Sequence, residues 1–195
     1  MGYSLETTSA DCYRGTICLI NKFNIRDEKK LSVLESDITL AKSVLLENMP
    51  VWLPMDFEYY KSIHKFLFED IYSWAGELRT VDISKKGTSF CAVNQLEELC
   101  ENCFTRLVAE NYFKGLSKQE FVNEIVDFYN TLNILHPFRE GNGRTQRIFI
   151  SKLIALNGYE FDFANIDKDE LMTATIKSAN GVNDFLFEIF IKEIK

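Results

Sequence analysis

The sequence has no long hydrophobic run and no basic region. No stretch approaches the roughly 18 consecutive apolar residues of a transmembrane helix, and the polar segment 1–10 lacks the basic and apolar parts of a signal peptide. The formal net charge is −7, and the Lys and Arg residues form no stripe. These absences argue against a membrane protein and against direct binding of nucleic acid. We therefore expect a soluble, cytoplasmic protein.

Linkers, repeats and paired cysteines are also missing. The three prolines stand apart, and no Pro-rich or Gly-rich linker and no repeat divides the 195 residues, so a single domain over 1–195 is expected. The five cysteines are an odd set without signs of secretion, which favours reduced thiols. Cys100 and Cys103 form a CxxC pair, but a second ligand pair for zinc is absent. Because Leu96, Phe104 and Leu107 continue their helical spacing, these thiols are predicted to line a core.

Apolar residues recur at helical spacing through most of the chain. Two amphipathic helices are predicted on either side of the turn at Pro50–Pro54. Asn94 with Glu97 is predicted to cap a third helix that runs to about Tyr112, and Ser117 with Glu120 forms the capping box of a fourth. The residues that define the first two helices are Leu31, Leu34, Ile38, Ala41 and Leu45, and then Phe57, Tyr60, Ile63, His64, Leu67 and Phe68. His64 is predicted to be a core or boundary residue of the second helix.

One segment has the pattern of strands. Thr80–Ser84 and Thr88–Val93 flank a turn at Lys85–Gly87, which predicts a short hairpin. So short a hairpin cannot form a sheet core, and it needs other elements to pack against. The sequence therefore predicts an all-α, compact helical fold with a short β-hairpin flap near residues 80–93.

Chemically reactive residues are concentrated in the segment His136–Arg147. Since proline disfavours α geometry in the residue before it, His136 is expected where a helix stops, as a candidate general base. Gly141 and Gly143 permit a tight turn at the start of a new helix, where free amides and the helix dipole favour phosphate. Arg144 and Arg147 stand three apart and could clamp one polyphosphate.

One further residue of this segment, Glu140, completes the candidate site. Glu140 is an oxygen ligand of the kind that Mg²⁺ accepts. Each residue alone has a structural explanation: His136 as a helix C-cap, Asn142 as a turn residue, Gly143 as a break and the arginines as solvated charges. A plain helix connection does not need all of them in this order, so together they favour an active site.

The segment matches HPFx(D/E)GNGRxxR at every specified position, so the sequence resembles the Fic family, of the bacterial cell-filamentation type. The resemblance extends to Ile71–Ser84 and to the start of the chain at Gly15-Thr16 and Asn21–Asp27. It implies an N-terminal part over residues 1–56 and a Fic core over about 57–195. Asp11–Arg14 departs from many relatives, which have prolines there. This departure concerns the N-terminal tail and puts no catalytic residue in doubt.

The resemblance implies a protein adenylyltransferase that uses ATP and Mg²⁺ to transfer AMP to a Tyr, Ser or Thr hydroxyl of a target protein, with release of pyrophosphate. It implies His136 as the base, Glu140 as the metal ligand, and Arg144 and Arg147 on the β- and γ-phosphates. Gly141, Asn142 and Gly143 would form the phosphate cradle. Asn180 resembles an adenine-side asparagine, although Asn-Gly pairs also end helices. The flap would bind an extended target segment through Val81, Asp82, Ile83, Ser84, Lys85, Gly87, Thr88 and Phe90.

Several functional alternatives remain at this level. Kinase-like relatives carry Ala-Asn-Lys where this chain has Gly141-Asn142-Gly143, which favours AMP transfer. Transfer of UMP or phosphocholine, or a non-catalytic toxin-like module that sequesters a partner, stays open. The family's inhibitory pattern (S/T)xxxE(G/N) has one match, Ser43–Asn48, with Glu47 as the inhibitory glutamate. So loose a pattern also arises by chance, and we favour a small antitoxin-like protein that supplies this glutamate in trans.

Overall fold

The computed structural model describes residues 10–85 and 88–195. Within these residues the chain forms seven α-helices and a two-stranded hairpin. The elements are α1 (Glu28–Asn48), α2 (Phe57–Phe68), β1 (Ser84–Lys85), β2 (Thr88–Ser89), α3 (Val93–Ala109), α4 (Lys118–Leu135), α5 (Asn142–Leu156), α6 (Lys168–Ala179) and α7 (Asp184–Glu193). The predicted fold class, all-α with a short hairpin, is confirmed. No helix in the described part of the chain has the length and apolar character needed to cross a membrane.

Two adjacent helices, α4 and α5, form the centre of the bundle. Helix α4 packs against α3, α5, α6 and α7, while α5 also contacts α1 and α2. Aromatic rings fill the space between α2, α3 and α5, where Phe104 packs against Tyr60 and edge-on against Phe149. Each such buried ring contributes about 1.5–3 kcal/mol through removal of apolar surface from water. The loop that joins α4 to α5 is thus held between the best-packed elements.

Helix α1 is where the sequence predicts it, but it buries only part of the predicted apolar face. Leu31, Glu35, Thr39 and Leu46 are buried, whereas Leu45, which the pattern placed inside, is 56% exposed. The apolar pattern was therefore right for Leu31 and for Ile38, which packs against the core, and wrong for Leu45. Glu35 and Thr39 turn inward because they contact an arginine of α5, and this contact outweighs the burial of the alternative apolar stripe.

The starts of the other helices agree with the sequence to different degrees. Helix α2 spans the predicted residues, and α4 begins with the predicted capping box of Ser117 and Glu120. Helix α3 begins at Val93, one residue before the predicted cap Asn94, and its N-cap Ala92 has no side-chain hydrogen bond. Instead the Asp82 carboxylate accepts the Val93 N–H at 2.8 Å. A cap supplied from eleven positions earlier has no local sequence signature.

The hairpin is shorter than predicted. Ser84 pairs with Ser89 and Lys85 with Thr88, and one more bond joins the Phe90 N–H to the Ile83 carbonyl at 3.3 Å. Ile83 is buried at 4% exposure and anchors the first strand. Gly87, predicted at the turn, lies outside the described residues.

All five cysteines are free thiols. Cys100 is fully buried in the core, as its helical spacing predicted, and Cys103 packs against that core. Burial raises the pKa of both thiols to about 12. They therefore stay protonated at neutral pH and have a packing role.

Candidate active site

The predicted reactive segment forms the tight loop between α4 and α5. Helix α4 ends at Leu135, and His136 adopts a left-handed conformation with φ 47°. Gly141 is also left-handed, with φ 81°, and precedes the first residue of α5. An added Cβ at Gly141 would lie 2.2 Å from the Phe68 ring, so the close approach of α2 requires glycine. These two reversals place His136 and the N-terminus of α5 in one short loop.

The His136 ring is held on its face and on one edge. Its Nδ1 lies 3.2 Å from the Asn133 carbonyl, and Phe90 of the flap stacks on it with centroids 3.8 Å apart at 14°. Because a carbonyl oxygen can only accept, this contact puts the proton on Nδ1 in the neutral ring. The lone pair is then on Nε2, the ring nitrogen that a general base would use.

The Asn142 side chain closes the loop. Its Oδ1 accepts the Phe138 N–H at 2.8 Å, its Nδ2 donates to the Phe138 carbonyl at 2.7 Å, and the residue is 2% exposed. This pair of bonds fixes the turn that leads into α5. The structure thus gives Asn142 a role in closing the loop. Its contribution to a phosphate cradle stays a prediction.

The start of α5 has the character of an anion site. No side chain of the N-cap residue satisfies its first N–H groups. Arg147 is half-buried, and no hydrogen bond or ion pair to its guanidinium occurs among residues 10–85 and 88–195. Burial lowers the pKa of Arg147, and the neighbouring Arg144 lowers it further. A half-buried cation beside Gly143 and free helix amides favours a negatively charged ligand.

Arg144, the other motif arginine, already has partners on α1. Its Nη2 lies 2.5 Å from Glu35 Oε1, its Nη1 donates to the Thr39 hydroxyl at 3.1 Å, and its guanidinium covers the Phe68 ring at 4.8 Å. The Glu140 carboxylate is 3.5 Å away and accepts the Gly141 N–H at 2.9 Å. The predicted contact of Arg144 with a phosphate therefore requires exchange of Glu35 for the ligand.

His64 is fully buried, as predicted for a core residue, and it also holds the loop. Its Nε2 donates to the Glu140 carbonyl at 3.0 Å, and its Nδ1 accepts the Gly76 N–H at 2.9 Å. It stacks on Phe138 with centroids 3.8 Å apart. Burial lowers its pKa to about 3, so the ring stays neutral. The apolar spacing of α2 predicted the burial but gave no signal for the contact with Glu140.

Arg79 joins the flap to the same loop, and the sequence analysis assigned it no role. Its side chain, 3% exposed as a residue, donates to the carbonyls of His136, Leu135 and Cys91, and its backbone N–H donates to Pro137. A buried guanidinium that satisfies several carbonyls is a strong cross-link. The base of the flap is thus fixed relative to His136.

The N-terminal segment also reaches the loop. Asp11 pairs with Arg139 at 3.1 Å, and Arg139 is 3% exposed. Arg139 fills the variable position of the motif, for which a sequence pattern specifies no partner. The departure at Asp11–Arg14 therefore has a contact beyond the tail, because this ion pair crosses to the reactive loop. That it leaves the catalytic residues unaffected stays a prediction.

Two predicted residues lie elsewhere. Asn180 is the exposed C-cap of α6, where its side chain donates to the Ile176 carbonyl at 2.7 Å and Gly181 turns left-handed at φ 87°. This is the helix-ending geometry, and an adenine contact stays a prediction. Glu47 is exposed near the end of α1, where its charge acts on Lys152. Its inhibitory role on Arg147 also stays a prediction.

The fold and loop define a class of helical proteins in which a histidine at one helix end and the glycine-rich start of the next helix share one short loop. The family profile described as the Fic/DOC family matches residues 54–154. The chain is 34% identical over 182 residues to the probable protein adenylyltransferase Fic of Escherichia coli, covering 93% of this chain and 90% of that protein. The chain belongs to the Fic/DOC family.

Other relatives support this membership. Protein adenylyltransferase VbhT of Bartonella schoenbuchensis is 36% identical over 86% of this chain, which spans 35% of that longer protein. Among solved structures, BepC of Bartonella tribocorum with bound AMPPNP superposes with a TM-score of 0.88 at 29% identity, covering 95% of this chain and 96% of the other. A Fic domain of a Bartonella quintana effector with bound ADP superposes equally well, with a TM-score of 0.88.

Proposed function

We propose that this protein is an adenylyltransferase that transfers AMP from ATP to a Tyr, Ser or Thr hydroxyl of a target protein and releases pyrophosphate. One observation carries the proposal: a histidine with its Nδ1 proton committed to Asn133 shares a six-residue loop with an uncapped helix start and the half-buried cation Arg147. The names of the relatives support the same activity. We treat residues 1–195 as one domain, because buried residues from Cys12 to Ile194 form one core.

His136 acts as the general base. Its Nε2 accepts the proton of the target hydroxyl while the oxygen attacks the α-phosphorus of ATP, and the bond to the β-phosphate oxygen breaks. Base catalysis of this kind contributes about 10²–10⁴-fold to a rate. The stack with Phe90 and the Asn133 contact hold the ring in one orientation, which lowers the entropic cost of positioning.

The helix start and Arg147 bind the phosphates. Gly141 and Gly143 let the ATP chain approach the backbone, and the amides at the start of α5 point at it. Arg147 neutralises developing charge on the leaving pyrophosphate, and Arg144, paired with Glu35, adds positive charge beside the phosphates. Asn180 on the adenine side remains part of this proposal.

Glu140 is the proposed Mg²⁺ ligand. Among the described residues no cluster of three or more His, Cys, Asp or Glu side chains could hold a metal. Mg²⁺ is commonly bound by one carboxylate together with substrate phosphates, and a single carboxylate beside an anion site fits that donor set. When bound with ATP, the ion would neutralise phosphate charge and orient the α-phosphate.

The flap is the proposed docking element for the target. Its first strand is short and is an edge strand of a two-stranded sheet. The main chain of the flap, from Val81 to Phe90, could therefore pair with an extended segment of the target. Arg79 fixes the base of the flap to His136, so a hydroxyl in that segment would be delivered to Nε2. We do not propose direct binding to nucleic acid or to a membrane.

A second partner is an antitoxin-like protein that inhibits in trans. Helix α1 exposes the apolar side chains Val33, Leu40, Val44 and Leu45, and Trp52 beyond it is 68% exposed. Several exposed apolar side chains on one helix favour an interaction site there. The Glu47 charge acts on Lys152, and no ion pair between Glu47 and Arg147 occurs within residues 10–85 and 88–195, so an external glutamate is the proposed partner of Arg147. We also propose that the protein acts in the cytoplasm, as a toxin or as a regulator related to cell division.

The test is label transfer with ATP labelled at the α- or the γ-phosphate, using the purified protein and a cell lysate. AMP transfer labels a protein band from α-labelled ATP and none from γ-labelled ATP. The control is His136→Ala, which should abolish the band. Label from γ-labelled ATP would show a kinase, and no label from either would favour a non-catalytic module.

A further inference from the structure

Glu35 is a buried acid of α1 that lies outside the motif and touches its first arginine. It is 8% exposed as a residue. Oε1 pairs with Arg144 at 2.5 Å, and Oε2 accepts the hydroxyl of Tyr72. Burial and the Glu35 charge raise the pKa of Tyr72, so its hydroxyl stays a donor. Thr39 on the next turn donates to the Glu35 carbonyl at 2.7 Å and accepts from Arg144.

Arg144 stands between two carboxylates and is bound mainly by one of them. Its Nη2 is 2.5 Å from Glu35 and 3.5 Å from Glu140, so only the first contact has a normal hydrogen-bond length. Glu140 is half-buried, with 28% of its side chain exposed. If Glu35 lost its charge, Glu140 would be the nearest remaining carboxylate to the guanidinium, and the pair would close because an unpaired partly buried cation is costly.

We propose that Glu35 is a positioning residue that holds Arg144 closer to α1 than to Glu140, and so limits the competition between Arg144 and the Mg²⁺ of the bound nucleotide for the Glu140 carboxylate. This inference rests on the proposed function, since it assumes a metal–nucleotide complex at the start of α5. Arg144 then acts mainly through its link to α1. Glu35 therefore affects how much of the negative charge of Glu140 reaches the metal ion, although Glu35 itself does not contact the metal–nucleotide complex.

The experiment measures binding of a non-hydrolysable ATP analogue by calorimetry, with and without Mg²⁺. In the wild type, Mg²⁺ is expected to strengthen binding. In Glu35→Gln, which keeps the shape and removes the charge, we expect this strengthening to fall about tenfold, within the usual range for residues that share a partner. Binding without Mg²⁺ should stay within about twofold. The matched control is Asp37→Asn, the same charge change at an exposed position of α1, and it should behave as the wild type.

A double variant separates positioning from folding. In Glu35→Gln/Arg144→Gln no guanidinium remains to pair with Glu140, so the Mg²⁺ response should return towards the wild-type value. If Glu35→Gln alone fails to fold, the inference is tested with this double variant, because it removes the buried Glu35 carboxylate and its partly buried partner, the Arg144 guanidinium, together. A double variant that lacks the response contradicts the inference, as does a Glu35→Gln protein with the full response.

The outcomes also separate this inference from the proposed function. A wild type that binds no nucleotide overturns both. Normal Mg²⁺-dependent binding in the wild type, with equal loss of binding in the presence and absence of Mg²⁺ in Glu35→Gln, overturns the inference alone and shows a structural role for Glu35.

Discussion

Gly141 offers a quantitative test of how tightly the reactive loop is packed. Its φ is 81°, and an added Cβ would lie 2.2 Å from Phe68 Cζ and 2.3 Å from Cε2. Gly141→Ala therefore has two costs. The left-handed conformation costs a residue with a Cβ about 1–2 kcal/mol, and overpacking against a rigid ring costs about 1–3 kcal/mol. The free energy of unfolding should fall by about 2–5 kcal/mol as the sum of these terms.

Gly158 is the matched control for the first cost. It has the same φ of 81°, but nothing lies within 4 Å of an added Cβ. Gly158→Ala should therefore lose about 1–2 kcal/mol, and the difference between the two variants isolates the contact with Phe68. Urea unfolding at equilibrium measures both. If Gly141→Ala is no less stable than Gly158→Ala, the conclusion that the Phe68 ring packs tightly against Gly141 is refuted.

Three further predictions follow from the site. His136→Ala should lower AMP transfer by about 10²–10⁴-fold while affinity for ATP stays within a few fold, as measured by label transfer and calorimetry; undiminished transfer would refute the general base. Glu47→Gly should change the activity of the purified protein little, and a large gain would make Glu47 a built-in brake. His64 has a folded pKa of about 3, below its usual 6.5, so the unfolded chain binds the extra proton and stability falls as pH drops from 6.5 towards 3. Relative to His64→Gln, which keeps the Nε2 donor, the wild type should lose about 2 kcal/mol more between pH 7 and pH 5 in urea unfolding; parallel profiles would contradict a neutral buried ring.

The sequence predicted the elements whose signals are local. The period of apolar residues gave the exact span of α2, and the capping box gave the start of α4. The sequence did not predict that α1 buries Glu35, which depends on Arg144. It also did not predict that Asp82 caps α3. Both partners are distant in sequence, and propensity and periodicity carry no information about them.

The candidate site divides in the same way. The segment from His136 to Arg147, which forms the loop and the start of α5, was predicted because its residues are contiguous and its glycines and histidine have backbone signatures. Glu35, His64 and Arg79 were missed as parts of the site, since each comes from another element and acts on the loop by packing. One sequence signal existed: Leu31, Glu35 and Thr39 stand four apart, so the two polar residues share a helix face with a buried leucine.

The contact between His64 and Glu140 shows how a buried side chain can orient a site that it does not enter. The Glu140–Gly141 peptide bond is trans, so its C=O and N–H point in opposite directions. His64 Nε2 holds the carbonyl on the α2 side at 3.0 Å. The Gly141 N–H must then point away from α2, where it now donates to the Glu140 carboxylate at 2.9 Å. The neutral ring of His64 therefore fixes the direction of the first amide of the proposed anion site. A charged ring could still donate from Nε2, but its Nδ1 could no longer accept the Gly76 N–H, so the ring that orients the loop is stable only in its neutral form.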